Sequence, residues 1–147
     1  MVSNRGRNVP PDIWSDFGSS GSKAQDASWI NTTAIDMTQY DTLIIELEPG
    51  DDFDAGDLEV SIKAVGNAAA NYAQWGYIPD QDMKAFVEED LQQGLSDGVK
   101  NMIILGGGGQ LNLLGIDVLY VWLTNKNASA KEMDGIRYRR AGFHPSG

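Results

Sequence analysis

The stretch Leu58-Glu59-Val60-Ser61-Ile62-Lys63-Ala64 alternates strictly, with Leu58, Val60, Ile62 and Ala64 on one side and Glu59, Ser61 and Lys63 on the other. Successive side chains of a strand point to opposite sides of its sheet, so a period of two marks an extended segment with one buried face. Upstream, Leu43, Ile45 and Leu47 form a second such segment against Glu46 and Glu48. The turn EPGDDFDAGD (48–57) joins the two, which together read as a hairpin. Downstream, Val118, Tyr120 and Trp122 interleave with Leu119, Val121 and Leu123. Both faces of that segment are apolar, which suits a central strand covered on both sides. Residues 28–36, 71–78, 102–105 and 136–138 supply shorter candidates of the same kind.

One segment competes for a helix. In 81–95, Met83, Phe86, Val87, Leu91 and Leu95 fall near one stripe, Asp80 or Asp82 stands ready to cap its start, and Gly94 and Gly98 end it. The expected fold is therefore all-β: an antiparallel β-sandwich, most simply a jelly roll, with one short helix, a closed barrel being the alternative. Residues 1–24, polar and rich in Gly, Ser and Pro, read as a flexible N-terminal arm, and 25–147 as a single β-sandwich domain.

Composition narrows the function classes. A chain of 147 residues can bury roughly two-thirds of its unfolded surface and needs no disulfide or metal staple. With no cysteine, thiolate catalysis, disulfide frameworks and zinc or iron–sulfur ligation through sulfur are excluded. The formal net charge of −10 argues against wrapping nucleic-acid phosphates or resting on anionic lipid, so neither nucleic acid nor membrane is an expected direct partner. No apolar run near the start has the length of an export signal, and none has the length of a membrane span. A complete small soluble protein made in the cytoplasm is the expectation.

The motifs that could carry chemistry are weak. Gly106 to Gly109 follow an apolar strand, but Gln110, Leu111 and Asn112 stand where a phosphate-binding loop needs Lys and Ser or Thr, so a turn is expected. The stretch 46–57 holds six carboxylates and no Lys or Arg, and Asp52, Asp54 and Asp57 sit at loop spacing. Hard cations take several oxygens at such spacing, so a structural calcium is a candidate there; a solvated acidic turn is the plainer reading, and no other cofactor is expected. No pair of carboxylates is set apart for acid–base work, and His144 has no nucleophile motif to serve, so the chain is not expected to be an enzyme. Tyr72, Trp75 and Tyr77, in a polar segment, are candidates for stacking against sugar rings. Asn31-Thr32-Thr33 and Asn127-Ala128-Ser129 match the glycosylation pattern, which acts only on a secreted chain.

Charge is unevenly spread: residues 126–147 carry +3 and the preceding 125 carry −13. Trp14 and Phe17 are the large aromatics of the polar arm. An adhesive arm (Trp14, Phe17) and a basic end (Arg137, Arg139, Arg140) on an acidic body suit docking against copies of the chain or a larger assembly. Docking of the arm on its own domain is the plainer reading of Trp14 and Phe17, since termini commonly pack on the domain they belong to. Removing residues 1–24 is then expected to leave the fold intact and weaken assembly.

The segments WINTTAIDMTQYDTLIIELEP (29–49), DLEVSIKAVG (57–66) and GIDVLYVWLTNKNASAKEMDGIRYR (115–139), with the Tyr-x-x-Leu of Tyr40 to Leu43, resemble small β-sandwich structural proteins of tailed-phage virions. The same layout is similar to galactose-binding-like carbohydrate-binding modules. The phage resemblance implies a non-enzymatic virion component, a capsid decoration or a head, neck or tail accessory protein, with capsid or tail subunits and further copies of itself as partners. The other resemblance implies non-catalytic sugar binding with a structural calcium.

Overall fold

The computed structural model describes residues 13–65, 88–90, 94–106, 113 and 117–142. Ten strands follow in order: β1 (Ser15–Asp16), β2 (Gly21–Lys23), β3 (Ser28–Ile30), β4 (Ile35–Asp36), β5 (Thr42–Pro49), β6 (Leu58–Val65), β7 (Glu88–Asp90), β8 (Asn101–Gly106), β9 (Val118–Asn125) and β10 (Lys131–Ala141). They form two antiparallel five-stranded sheets. In the first, β10 pairs with β1 and β2 on one side and β5 on the other, and β5 pairs with β8; in the second, β9 pairs with β3 and β4 on one side and β6 on the other, and β6 pairs with β7.

One hydrophobic core contains residues of both sheets, which makes the architecture sandwich-like. Leu43, Ile45 and Leu47 of β5, Ile103 of β8 and Ile136 of β10 join Leu58, Val60 and Ile62 of β6 and Leu119, Val121 and Leu123 of β9 in a single cluster. The alternation of Leu58, Val60 and Ile62 and of the β9 residues is thus realised: these period-two apolar residues face inward, and Tyr120 and Trp122 on the opposite side of β9 are half-buried.

Three expectations are corrected. β5 and β6 do not pair as a hairpin; they belong to different sheets, and residues 50–57 carry the chain across from one to the other. Phe53 makes the crossing possible. It is buried, meets Trp29 edge-on with ring centroids 6.3 Å apart, and exchanges backbone hydrogen bonds with Leu95 (2.7 and 2.8 Å), closing that end of the core. The expected helix over 81–95 gives way to strand at Glu88–Asp90, antiparallel to Glu59–Ser61, and Leu95 is fixed to Phe53; 81–87 and 91–93 lie outside the described residues. Among the described residues there is no helix. Finally, the boundary at residue 24 does not separate an arm from a domain. β1 and β2 are strands of the first sheet, and Phe17 between them is a core residue, its N–H donating to Ile136 O at 3.0 Å.

Where β3 stops and β4 begins, the chain leaves the edge of β9 for four residues. Asn31 fills the gap with its side chain. Its Oδ1 accepts from Val121 N–H (2.7 Å), and its Nδ2 donates to Thr33 O (2.9 Å) and Leu119 O (3.4 Å), so one buried amide replaces the backbone groups that a continuous strand would have offered. This burial also removes Asn31 from consideration as a glycosylation acceptor.

Candidate functional site

Strand alternation divides the first sheet into an inner face on the core and an outer face. β5 turns Leu43, Ile45 and Leu47 inward, which leaves Ile44, Glu46 and Glu48 outward; β8 turns Ile103 inward and Met102 and Ile104 outward. In the β10–β5–β8 register, Arg137 lies beside Glu46 and Glu46 beside Met102, while Arg139 lies beside Ile44 and Ile44 beside Ile104. β1 adds Asp16 beside Arg137, and continuing its register by one residue places Trp14 beside Arg139.

The side chains follow this placement. The guanidinium carbons of Arg137 and Arg139 lie 4.4 and 4.9 Å from the Trp14 ring centroid, a double cation–π contact. Arg137 Nε donates to Glu46 Oε1 at 2.7 Å, with the Glu46 side chain only 10% exposed. Arg139 Nε is buried, with no hydrogen-bond partner among the described residues. Met102 and Ile104 are 51% and 62% exposed, and Ile13, which precedes Trp14, is 79% exposed. A cleft of about 420 Å³ opens on this face, walled by Trp14, Asp16, Glu46, Lys100, Asp134 and Arg137 among others.

Of the residues expected to bind a partner, Trp14, Arg137 and Arg139 therefore come together. Phe17 does not. At 1% exposure it serves the chain's own core, because Gly18 beside it adopts a φ of +86° and turns the backbone so that Thr32 N–H reaches Phe17 O at 3.0 Å. Arg140, next along the strand, points to the other side, stacks over Tyr40 at 4.6 Å and donates to Asp36 O at 2.7 Å. Outer-facing Trp14 was visible in sequence, but Ile44, Met102 and Ile104 were read only as strand residues; nothing short of the register distinguishes an outward isoleucine from an inward one.

The acidic turn uses its carboxylates to hold backbone. Asp51 Oδ2 accepts from Glu132 N–H and Asp52 Oδ1 from Asp97 N–H, both at 2.8 Å, and Asp57 Oδ2 accepts from Asp54 N–H (2.8 Å) and Asn127 Nδ2 (3.1 Å). Asp54 itself is exposed. Among the described residues no three His, Cys, Asp or Glu side chains group as a metal site. Tyr72, Trp75 and Tyr77 lie outside the described residues, as do His144 and Gly107 to Gly109.

At the opposite end of the outer face, Glu132 and Asp134 share a hydrogen bond that lifts the Glu132 carboxyl above the usual carboxylate range, with the charges of Asp134, Asp51 and Asp97 adding to the effect. Asp36 shows the reverse. The Thr38 backbone N–H (3.0 Å) and hydroxyl (2.7 Å) both donate to its Oδ1 and hold its carboxyl below the usual range, against slight desolvation and with help from the Arg140 charge. A depressed folded-state value adds stability at neutral pH that is lost as pH falls through the carboxylate range. Asp36→Asn is accordingly expected to lower the melting temperature near neutrality and to leave a shallower acid limb, read from thermal melts across the acid range.

Among the described residues no helix is long and apolar enough to cross a membrane. No family model matches the chain, and the search of curated proteins finds no relative.

Proposed function

We propose that the chain is a non-enzymatic structural protein of a virion, a capsid-decoration or head, neck or tail accessory protein, made in the host cytoplasm and assembled onto a capsid or tail lattice through the outer face of the first sheet. The observation that carries this reading is the row Trp14, Arg139, Ile44 and Ile104, flanked by Met102. It runs side by side from Trp14, just ahead of β1, across β10, β5 and β8, and is open to solvent at Met102 and Ile104. Aromatic and Arg residues next to exposed aliphatic ones are what protein interfaces enrich at their centres.

Strand order supports the same class. Counting β1 with β2 and β3 with β4 as single interrupted strands leaves eight positions. The first sheet then reads 1-8-3-6 and the second 2-7-4-5, the order expected of a jelly roll, an architecture that viral capsid and lectin domains share. Fold alone does not choose between those two; the make-up of the outer face supports the first.

The test is co-sedimentation with purified particles of the virus whose genome encodes the chain. Ile104→Glu, placed on an exposed position, is expected to leave the melting temperature within a few degrees and to reduce incorporation about tenfold or more, as loss of a central interface contact does. Unchanged incorporation removes the outer face from the account, and absence of the native chain from particles removes the virion reading.

A second reading, a non-catalytic carbohydrate-binding module, is favoured by the cleft beside Trp14, whose mixed lining of Asp16, Glu46, Lys100 and Arg137 offers donors and acceptors around an aromatic wall. Glycan-array binding abolished by Trp14→Ala supports it; a blank array with the native chain ends it.

A further inference from the structure

We propose that the outer face of the first sheet is an isologous interface, on which a second copy of the chain lies with its β10 antiparallel to that of the first. This rests on the assembly reading above and names what covers that face before the chain reaches the lattice, which then takes the place of the second copy.

The argument is one of unmet charge. Along β10 the outer face changes sign: Glu132 and Asp134 stand at one end, exposed, with Asp51 and Asp97 close by, and Arg139 stands at the other. The acidic end holds its own charges at a cost, since Glu132 keeps its proton more tightly than a free carboxyl. The cation nearest in sequence, Lys131, donates its ammonium to Asp52 O. At the basic end, Arg139 stacks on Trp14 and has no carboxylate partner among the described residues, so its guanidinium charge is unpaired there. Between the two ends Arg137 and Glu46 satisfy each other.

A two-fold axis lying in the interface, at right angles to β10 and level with Arg137, reverses the strand direction of the second copy. Arg139 of each copy then lies across from the Asp134–Gly135 step of the other, with Glu132 the next carboxylate along the strand, so a single operation answers both demands twice. The same axis passes level with Met102, because Arg137, Glu46 and Met102 are register partners, and so brings the two exposed Met102 side chains together at its far end. The cleft beside Trp14 lies near the axis and is enclosed by the pair as a water-filled space, as is usual in polar interfaces.

Charge exchange tests this directly in the full chain. Native mass by light scattering at low salt is expected to be twice 16.0 kDa, falling toward the single-chain value as salt screens the contacts. Arg139→Glu alone, and Glu132→Arg with Asp134→Arg alone, are each expected to weaken pairing about tenfold or more by opposing like charges. Mixed in equal amounts the two variants restore it, because both contacts of the mixed pair are then of opposite sign. As a second measurement, Met102→Cys, in a chain with no other cysteine, is expected to form a disulfide-linked pair under mild oxidation.

A native chain that stays single at all concentrations, a mixture that stays single, or a Met102→Cys chain that does not cross-link overturns the inference. The assembly reading fails separately: a single chain that still sediments with particles contradicts only the pairing, and a pair absent from particles contradicts only the virion.

Discussion

Replacing Asn31 with alanine lowers the stability of the fold by about 1–3 kcal/mol, because the buried Val121 N–H of β9 loses its acceptor and that is the usual cost of an unsatisfied buried polar group. The Val121 N–H faces the gap between β3 and β4, the Leu119 carbonyl lies at its margin opposite Ile35 of β4, and the Asn31 amide reaches both. Asn31→Asp separates the two halves of the role: it keeps an acceptor for Val121 N–H but sets a carboxylate oxygen against the Leu119 carbonyl. Urea melts of both variants check this. The alanine variant is expected to lose most of its midpoint, and a change under about 0.5 kcal/mol, the scale of an ordinary surface substitution, would mean that the gap is bridged in some other way.

Phe17→Ala is expected to cost about 3–5 kcal/mol, the usual range for removing a buried aromatic side chain. Deleting residues 1–24 is expected to cost more. It removes Phe17 together with β1 and β2, exposes one side of β10 and takes away Trp29's hydrogen bond to Gly21 O (3.0 Å). Loss of the cooperative transition in thermal melts is the expected result. A truncated chain that melts like the full one would return this segment to the role of an arm.

These two sites mark where the amino-acid sequence is legible and where it is not. β6 and β9 could be read directly because each is eight residues long and one sheet face is buried, so period-two alternation has room to repeat. β1 and β2 span two and three residues, too short for any period, and their polar composition matches that of a loose tail. Only the burial of Phe17 betrays them. The supposed hairpin of β5 and β6 failed for a different reason. Turn chemistry shows that the chain reverses, whereas pairing or crossing between sheets depends on which distant strands compete; β10 and β8 take both edges of β5.

The candidate site was half legible. Trp14, Arg137 and Arg139 stood out by residue type, but their meeting depends on the β1–β10 register, which joins the two ends of the chain. Arg140 differs from its neighbour Arg139 only in strand parity, and that parity sends it to Tyr40 instead of Trp14. Asn31 carried a recognisable signal, the Asn-Thr-Thr triplet, that pointed to the wrong chemistry. A short polar residue between two short apolar strand segments is the pattern of a side chain standing in for backbone, and burial is what tells the two apart.

Assembly through the outer face of the first sheet is best tested by hydroxyl-radical footprinting of the chain free in solution, at a salt concentration and dilution that keep it single, and in purified particles. Met37 and Met133, both fully buried, serve as internal standards that should react slowly in both states. Met102, 51% exposed in the single chain, is predicted to oxidise readily when free and several-fold more slowly in the particle, with Trp14 protected alongside it. Equal oxidation of Met102 in the two states would contradict the account.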